Sequence, residues 1–191
     1  MVLYFIRHGI TTANVDGILS GTTDVSLAPD AYDALAELKA KGIYPSVEGK
    51  RLITSGMTRT EQTFYALFGE LTHERMDSFR EISFGEFEMC KADDVFKDER
   101  YIRWINDETG LVSCPGGESF YDAINGRLLF ALDELIKAGQ DAVIICHGAV
   151  IAAIMWYWFR ADKKRLEWIP GQGRGYSILI ADGIPVSWQE I

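Results

Sequence analysis

His8 and His147 each close a short apolar run and each is followed by glycine, in Arg7-His8-Gly9 and Cys146-His147-Gly148. Two of the chain's three histidines thus share one local setting. A neutral imidazole can act as a nucleophile or carry a proton at physiological pH. Glycine beside it permits a sharp turn and lets backbone N–H groups approach an anion. The adjacent Arg7 adds a planar guanidinium that grips two oxygens of one anion at once. A single histidine so placed is more often a core or capping residue. Two in equivalent places, one of them beside arginine, point to a site that binds and attacks an anionic group.

Such a site needs a scaffold that brings two distant segments together. Val2 to Ile6, Arg51 to Thr54 and Ala142 to Cys146 have the length and apolar character of buried strands. Helical spacing over Pro29 to Lys41, with Tyr32, Leu35 and Leu38 on one face, predicts a helix that stops at Gly42. Phe120, Ile124, Leu128, Leu132 and Leu135 form a longer stripe ended by Gly139, and Ser119 and Asp122 have capping-box spacing at its start. Tyr176 to Ala181 and Ile184 to Trp188, joined by Asp182-Gly183, read as two strands around a tight turn. Strands alternating with helices predict an α/β three-layer sandwich, a mostly parallel central sheet with helices on both faces. In that architecture ligands sit beyond the carboxyl ends of the strands, where His8 and His147 fall. The polar stretch from Lys91 to Cys114 is expected to overhang the site.

The length of 191 residues, without internal repeats or a linker, predicts one domain over residues 1–191. A net charge of −9 and the lack of any Lys/Arg run argue against a nucleic-acid or anionic-membrane surface, so an anionic ligand must be held by a few local charges. Cys90, Cys114 and Cys146 are odd in number and widely spaced, which fits neither a disulfide framework nor a zinc site and predicts a cytoplasmic setting. The opening apolar run is too short for a signal peptide, and Ala149 to Phe159 is too short to span a membrane. Met155 to Phe159 reads as core, although an apolar surface of that size leaves a homodimer open. His73 reads as a surface residue, and Gly171-Gln172-Gly173-Arg174-Gly175 as a loop.

Five ordered motifs resemble those of the histidine phosphatase superfamily. Arg7-His8-Gly9 with Thr11 and Asn14 is similar to its opening motif, and Gly21 and Asp24 fit the loop that follows. Ser55 through Thr63 resembles the second motif, whose arginine is Arg59. Glu81 through Glu88 resembles the third, which opens with the general acid; Pro115 to Ser119 and Cys146 to Gly148 resemble the last two. The departures are Ile10 in place of a usual glutamate, Met89 and Ala149 in place of common glycines, and variant residues at Gly56 and Thr60. Ile10 is expected to alter the substrate pocket.

The resemblance implies that His8 takes a phosphoryl group, that Arg7, Asn14, Arg59 and His147 hold it, and that Glu81 moves the proton, with Glu86 and Glu88 as competing acids. Charge on a transferring phosphoryl group is spread over its equatorial oxygens, so positioned cations and N–H donors suffice; neither a metal nor a cofactor is expected. The ligand is then a small phosphorylated metabolite. Three readings follow: a phosphomonoesterase, a cofactor-dependent phosphoglycerate mutase, and a non-catalytic module that binds phosphorylated ligands. Mutases of the family carry a long insertion before the Pro-Gly-Gly-Glu-Ser motif, whereas only Met89 to Cys114 fills that interval here, which favours the phosphatase. Arg100, Arg103, Trp104 and Arg127 are candidates to meet the rest of the substrate. α-Ribazole phosphatases and broad-specificity phosphatases are both small members that the chain could match.

Overall fold

The computed structural model covers residues 1–191 and contains one six-stranded sheet in the order β3-β2-β4-β1-β5-β6. In chain order the elements are β1 (Val2–Arg7), α1 (Thr12–Val15), α2 (Ala31–Ala40), β2 (Arg51–Thr54), α3 (Thr58–Phe68), β3 (Glu74–Arg75), α4 (Ala92–Val95), α5 (Glu99–Ile105), α6 (Phe120–Ala123), α7 (Leu129–Ala138), β4 (Ala142–Cys146), α8 (Gly148–Phe159), β5 (Gly175–Ala181) and β6 (Ile184–Glu190). Strands β3, β2, β4 and β1 run parallel, while β5 pairs antiparallel with β1 and β6 with β5.

Alternation along the strands divides the core into two layers. Leu3 and Phe5 of β1 and Ile144 and Cys146 of β4 face a large cluster with α6, α7 and α8. Ile6, Val143 and Ile145 face the opposite side, against Leu35 of α2 and Phe64 and Leu67 of α3. Because both sheet faces are covered, the central strands are apolar throughout, and all five residues of β4 are buried. This is the three-layer α/β sandwich that the sequence predicts.

Local chemistry sets most of the element ends. Asp182 and Gly183 adopt φ values of +51° and +78° in the β5–β6 turn, as a tight two-residue hairpin requires. The reciprocal Ser119–Asp122 capping box opens α6, and Gly139 closes α7 in the left-handed conformation. Helix α2 starts at Ala31, two residues later than Pro29. A wide π turn over Ile124–Leu128 joins α6 to α7. The stripe itself demands it: repeated spacings of four residues exceed the 3.6-residue turn, so a straight α-helix would rotate the apolar face off the sheet.

Two sequence readings need correction. The His73 side chain is 7% exposed, lies against Phe64 with ring centroids 4.2 Å apart, and pairs with Glu61. It is held beneath the surface because the Glu61 carboxylate, also bonded to Thr54 and Arg75, gives it a partner. Of the Met155 to Phe159 run, Met155 and Trp156 are buried, whereas Tyr157 is exposed at the end of α8. No helix is long and apolar enough to cross a membrane.

Candidate active site

Parallel pairing of β1 with β4 sets Arg7 opposite Cys146. The next residue of each strand is a histidine, so His8 and His147 emerge side by side, with ring centroids 5.3 Å apart. Gly148 then starts α8. A β-carbon there would approach Arg7 Nε to 3.1 Å, so glycine leaves room for the guanidinium to lie against the helix start.

The backbone carbonyl of Gly9 accepts from His8 Nδ1 at 2.7 Å. A carbonyl only accepts, so Nδ1 carries the proton and Nε2 keeps its lone pair. Burial, then the charges of Arg59 and Arg7, hold the His8 pKa well below the ordinary histidine value, and the ring is neutral. Arg7 Nη1 donates to Pro170 O at 2.8 Å, while its buried Nε has no partner in the protein. Asn14 uses its side-chain oxygen to accept from Thr11 N at 3.1 Å, which leaves its amide N–H groups free for another acceptor.

Arg59 is fully buried near the start of α3. Its Nη2 donates to Gly21 O at 2.6 Å, Nη1 to Thr23 O at 3.0 Å and Nε to His147 Nδ1 at 3.2 Å. A guanidinium has five N–H donors, so two remain. His147 then carries its proton on Nε2, which donates to Ser55 Oγ at 2.8 Å. The chain continues from Ser55 to the Thr60 hydroxyl at 3.0 Å and from there to Met57 O at 2.7 Å. Both ring nitrogens of His147 are therefore committed within the protein, and it stands behind His8 rather than presenting a free donor. Ser55 and Thr60 were not singled out by their chemistry in the sequence. Their place within the second motif was the signal, and Thr60 fills its variant position with a hydroxyl that ends this chain.

Glu81 is 7% exposed. Its Oε1 accepts from Ile82 N at 3.0 Å and Val150 N at 3.3 Å, and Oε2 from Ala149 N at 3.3 Å, which seats the carboxyl on the first turn of α8. Burial raises its pKa, with the backbone bonds and the charges of Arg59 and Arg7 opposing. The competing acids are otherwise employed. Glu86 is exposed and paired with Arg100 at 2.8 Å. Burial alone would raise the pKa of Glu88, but bonds from Phe84 N and from the N–H and hydroxyl groups of Thr22 and Thr23 prevail and lower it. Together with a bond from Gly21 N, these make Glu88 the clasp of the Gly21 loop. Asp24 in that loop accepts from Thr58 N at 2.9 Å and so ties it to the start of α3.

Arg7, His8, Asn14 and Glu81 line one cavity of about 180 Å³. Its outer wall includes Phe84, Tyr101, Trp104 and Ile105, so the Lys91 to Cys114 excursion overhangs the site through α5. Arg59 and His147 lie one layer behind. Ile10 packs against the second core cluster and does not line the cavity, contrary to the expectation placed on it. Arg100, Arg103 and Arg127 also stand outside it: Arg100 is bound by Asp98 and Glu86, Arg103 is exposed, and Arg127 is bound by Glu118 and Ser78 O. No group of three His, Cys, Asp or Glu residues converges at metal-binding distance. The Gly171 to Arg174 loop braces β1, since Gly173 N donates to Arg7 O at 3.1 Å and Arg7 N to Arg174 O at 2.8 Å.

Comparison with known proteins identifies the family. Residues 3–185 match the family model of the histidine phosphatase superfamily, branch 1, and the chain belongs to that superfamily. A 2,3-bisphosphoglycerate-dependent phosphoglycerate mutase of Xanthobacter autotrophicus is 26% identical over 167 residues, covering 81% of this chain and 79% of that protein. The adenosylcobalamin/alpha-ribazole phosphatase of Escherichia coli is 25% identical over 182 residues, covering 85% and 86%. The crystal structure of a phosphoglycerate mutase from Bacillus anthracis superposes with a TM-score of 0.79 at 19% identity, over 97% of this chain and 90% of that one. The superfamily therefore holds both phosphatases and mutases among relatives of similar distance.

Proposed function

We propose that the chain is a phosphomonoesterase that hydrolyses a small phosphorylated metabolite through a phosphohistidine at His8, without a metal ion. One observation carries this reading: a neutral imidazole with its Nε2 lone pair free and a buried carboxyl of raised pKa line the same cavity.

In the first step His8 Nε2 attacks phosphorus. The P–N bond forms as the bond to the leaving oxygen breaks, and Glu81 gives that oxygen its proton. In the second step water attacks phosphorus, the P–N electron pair returns to Nε2, and Glu81 takes the proton from the water. Arg7 through the guanidinium N–H groups that Pro170 O does not take, and Asn14 through its amide, hold the equatorial oxygens, while Arg59 adds its positive charge from one layer behind. His147 holds the Arg59 guanidinium in plane from behind. Hydrolysis is favoured over mutase transfer because the cavity lining beyond Arg7 offers no cation for a carboxylate-bearing acceptor.

Brief reaction with a labelled phosphate ester, followed by alkaline quenching, tests the reading, since phosphohistidine survives base and decays in acid. Label is expected on the native chain and absent from His8→Ala, which should still bind inorganic phosphate. Turnover by His8→Ala would overturn the mechanism. Turnover should also persist in a strong chelator; its loss, with recovery on adding magnesium or zinc, would overturn the metal-free part.

A further inference from the structure

We propose that the group esterified to the phosphate is compact and apolar, a single aromatic ring without a second anionic group; this rests on the phosphomonoesterase reading above. Besides Arg7, His8, Asn14 and Glu81, the cavity is lined by Leu19, Phe84, Tyr101, Trp104, Ile105 and Ile169. The aromatic part of that wall is already packed. Phe84 and Tyr101 meet Trp104 edge-on at 5.7 and 5.6 Å, and Trp104 stacks on Phe120 at 5.8 Å. These side chains come from three segments, with Tyr101 and Trp104 both on α5, and hold one another, so the wall is preorganised rather than shaped by its ligand.

Charge points the same way. The arginines nearest in sequence to the wall either are bound to carboxylates of the protein or are exposed, and none of them lines the cavity. A carboxylate or second phosphate entering beside Trp104 would lose its water and gain no cation, a penalty that apolar contact cannot offset. Ala149 adds a methyl group to the lining. Size then limits the group: the cavity of about 180 Å³ must seat the phosphoryl group as well, so what remains for the esterified group is at most the roughly 150 Å³ that admits benzene.

The test compares kcat/KM for benzyl phosphate, glycerol 1-phosphate and 3-phosphoglycerate, all of which release a primary alcohol and so have similar intrinsic reactivity. Benzyl phosphate should exceed the other two by roughly 10- to 200-fold, the range over which an apolar pocket discriminates. Ile105→Arg, which brings a cation to the wall, and Leu19→Ser, a gentler change, should each narrow that ratio. Equal or better turnover of either polar ester, or an unchanged ratio in both variants, would overturn the inference and leave the phosphomonoesterase reading standing. Failure to form phosphohistidine with any of the three esters would overturn that reading instead, and this inference with it.

Discussion

Arg59 Nε donates to His147 Nδ1 across 3.2 Å, and the same guanidinium reaches the carbonyls of Gly21 and Thr23. One planar group therefore fixes the tautomer of the second histidine and the position of the loop that borders the site. Lysine keeps the charge but cannot make the three divergent in-plane contacts that hold His147 and the loop. Arg59→Lys should lower kcat/KM by roughly one to two orders of magnitude, the worth of one or two charge-assisted hydrogen bonds. Steady-state kinetics on a single ester would check it, and a fully active variant would mean that Arg59 serves only the fold.

Glu81 sits on the first turn of α8 with its pKa raised by burial, which favours the protonated form that a proton donor needs. Glu81→Gln keeps the shape but cannot transfer that proton. It should slow phosphoryl transfer by roughly two to four orders of magnitude for alkyl esters. The loss should be much smaller for p-nitrophenyl phosphate, whose leaving group departs as an anion. Equal losses for both would assign the proton to another group.

Stability should respond to the buried histidines. Burial, reinforced by Arg59, holds His8 and His147 well below the ordinary value of 6.5. Between those low values and 6.5, the unfolded chain binds a proton on each ring that the native state does not. Stability therefore rises with pH through this window, by up to about 1.4 kcal/mol per pH unit per ring, and levels off above it. Glu81 opposes this: raised from its ordinary 4.5, it binds its proton more tightly when native, so its contribution falls as pH rises between the two values. Below 6.5 two rings act against one carboxyl, and the rings prevail. Urea midpoints should be higher at pH 6.5 than at pH 5.5, and His8→Asn should remove one ring's share of the difference. A midpoint that does not move with pH would contradict this.

Met89 adopts φ +59°. Its N–H donates to Leu19 O at 2.8 Å, which holds the chain in this conformation beside the site. A left-handed non-glycine residue costs about 1–2 kcal/mol, whereas glycine costs about 0.5–1 kcal/mol in lost chain entropy. Met89→Gly should thus be neutral or stabilising by up to about 1 kcal/mol, and Met89→Val destabilising by a similar amount. Thermal melts of the two variants would test the pair, and destabilisation by glycine would show that the methionine side chain outweighs the backbone strain.

The order of strands and helices was legible in the sequence because burial on both sheet faces forces continuous apolar runs, and because glycine, the Ser119–Asp122 box and Asp182-Gly183 mark where elements stop and turn. Arg7, His8, Asn14 and Glu81 were legible from their place in ordered motifs, and they do share one cavity. What the sequence left open depended on the third dimension. Whether Glu81, Glu86 or Glu88 is the buried acid is decided by α8, whose first N–H groups reach only Glu81, and by the Gly21 loop, which claims Glu88. Whether an arginine meets the substrate is decided by carboxylates such as Asp98 and Glu118, which bind Arg100 and Arg127 away from the cavity. Residue type and spacing along the chain encode local conformation and the chemistry available. Hydrogen-bond partners, burial and the resulting proton affinities belong to side chains that meet only after the β1–β4 pairing brings residues about 140 positions apart side by side, so tertiary structure alone assigns them.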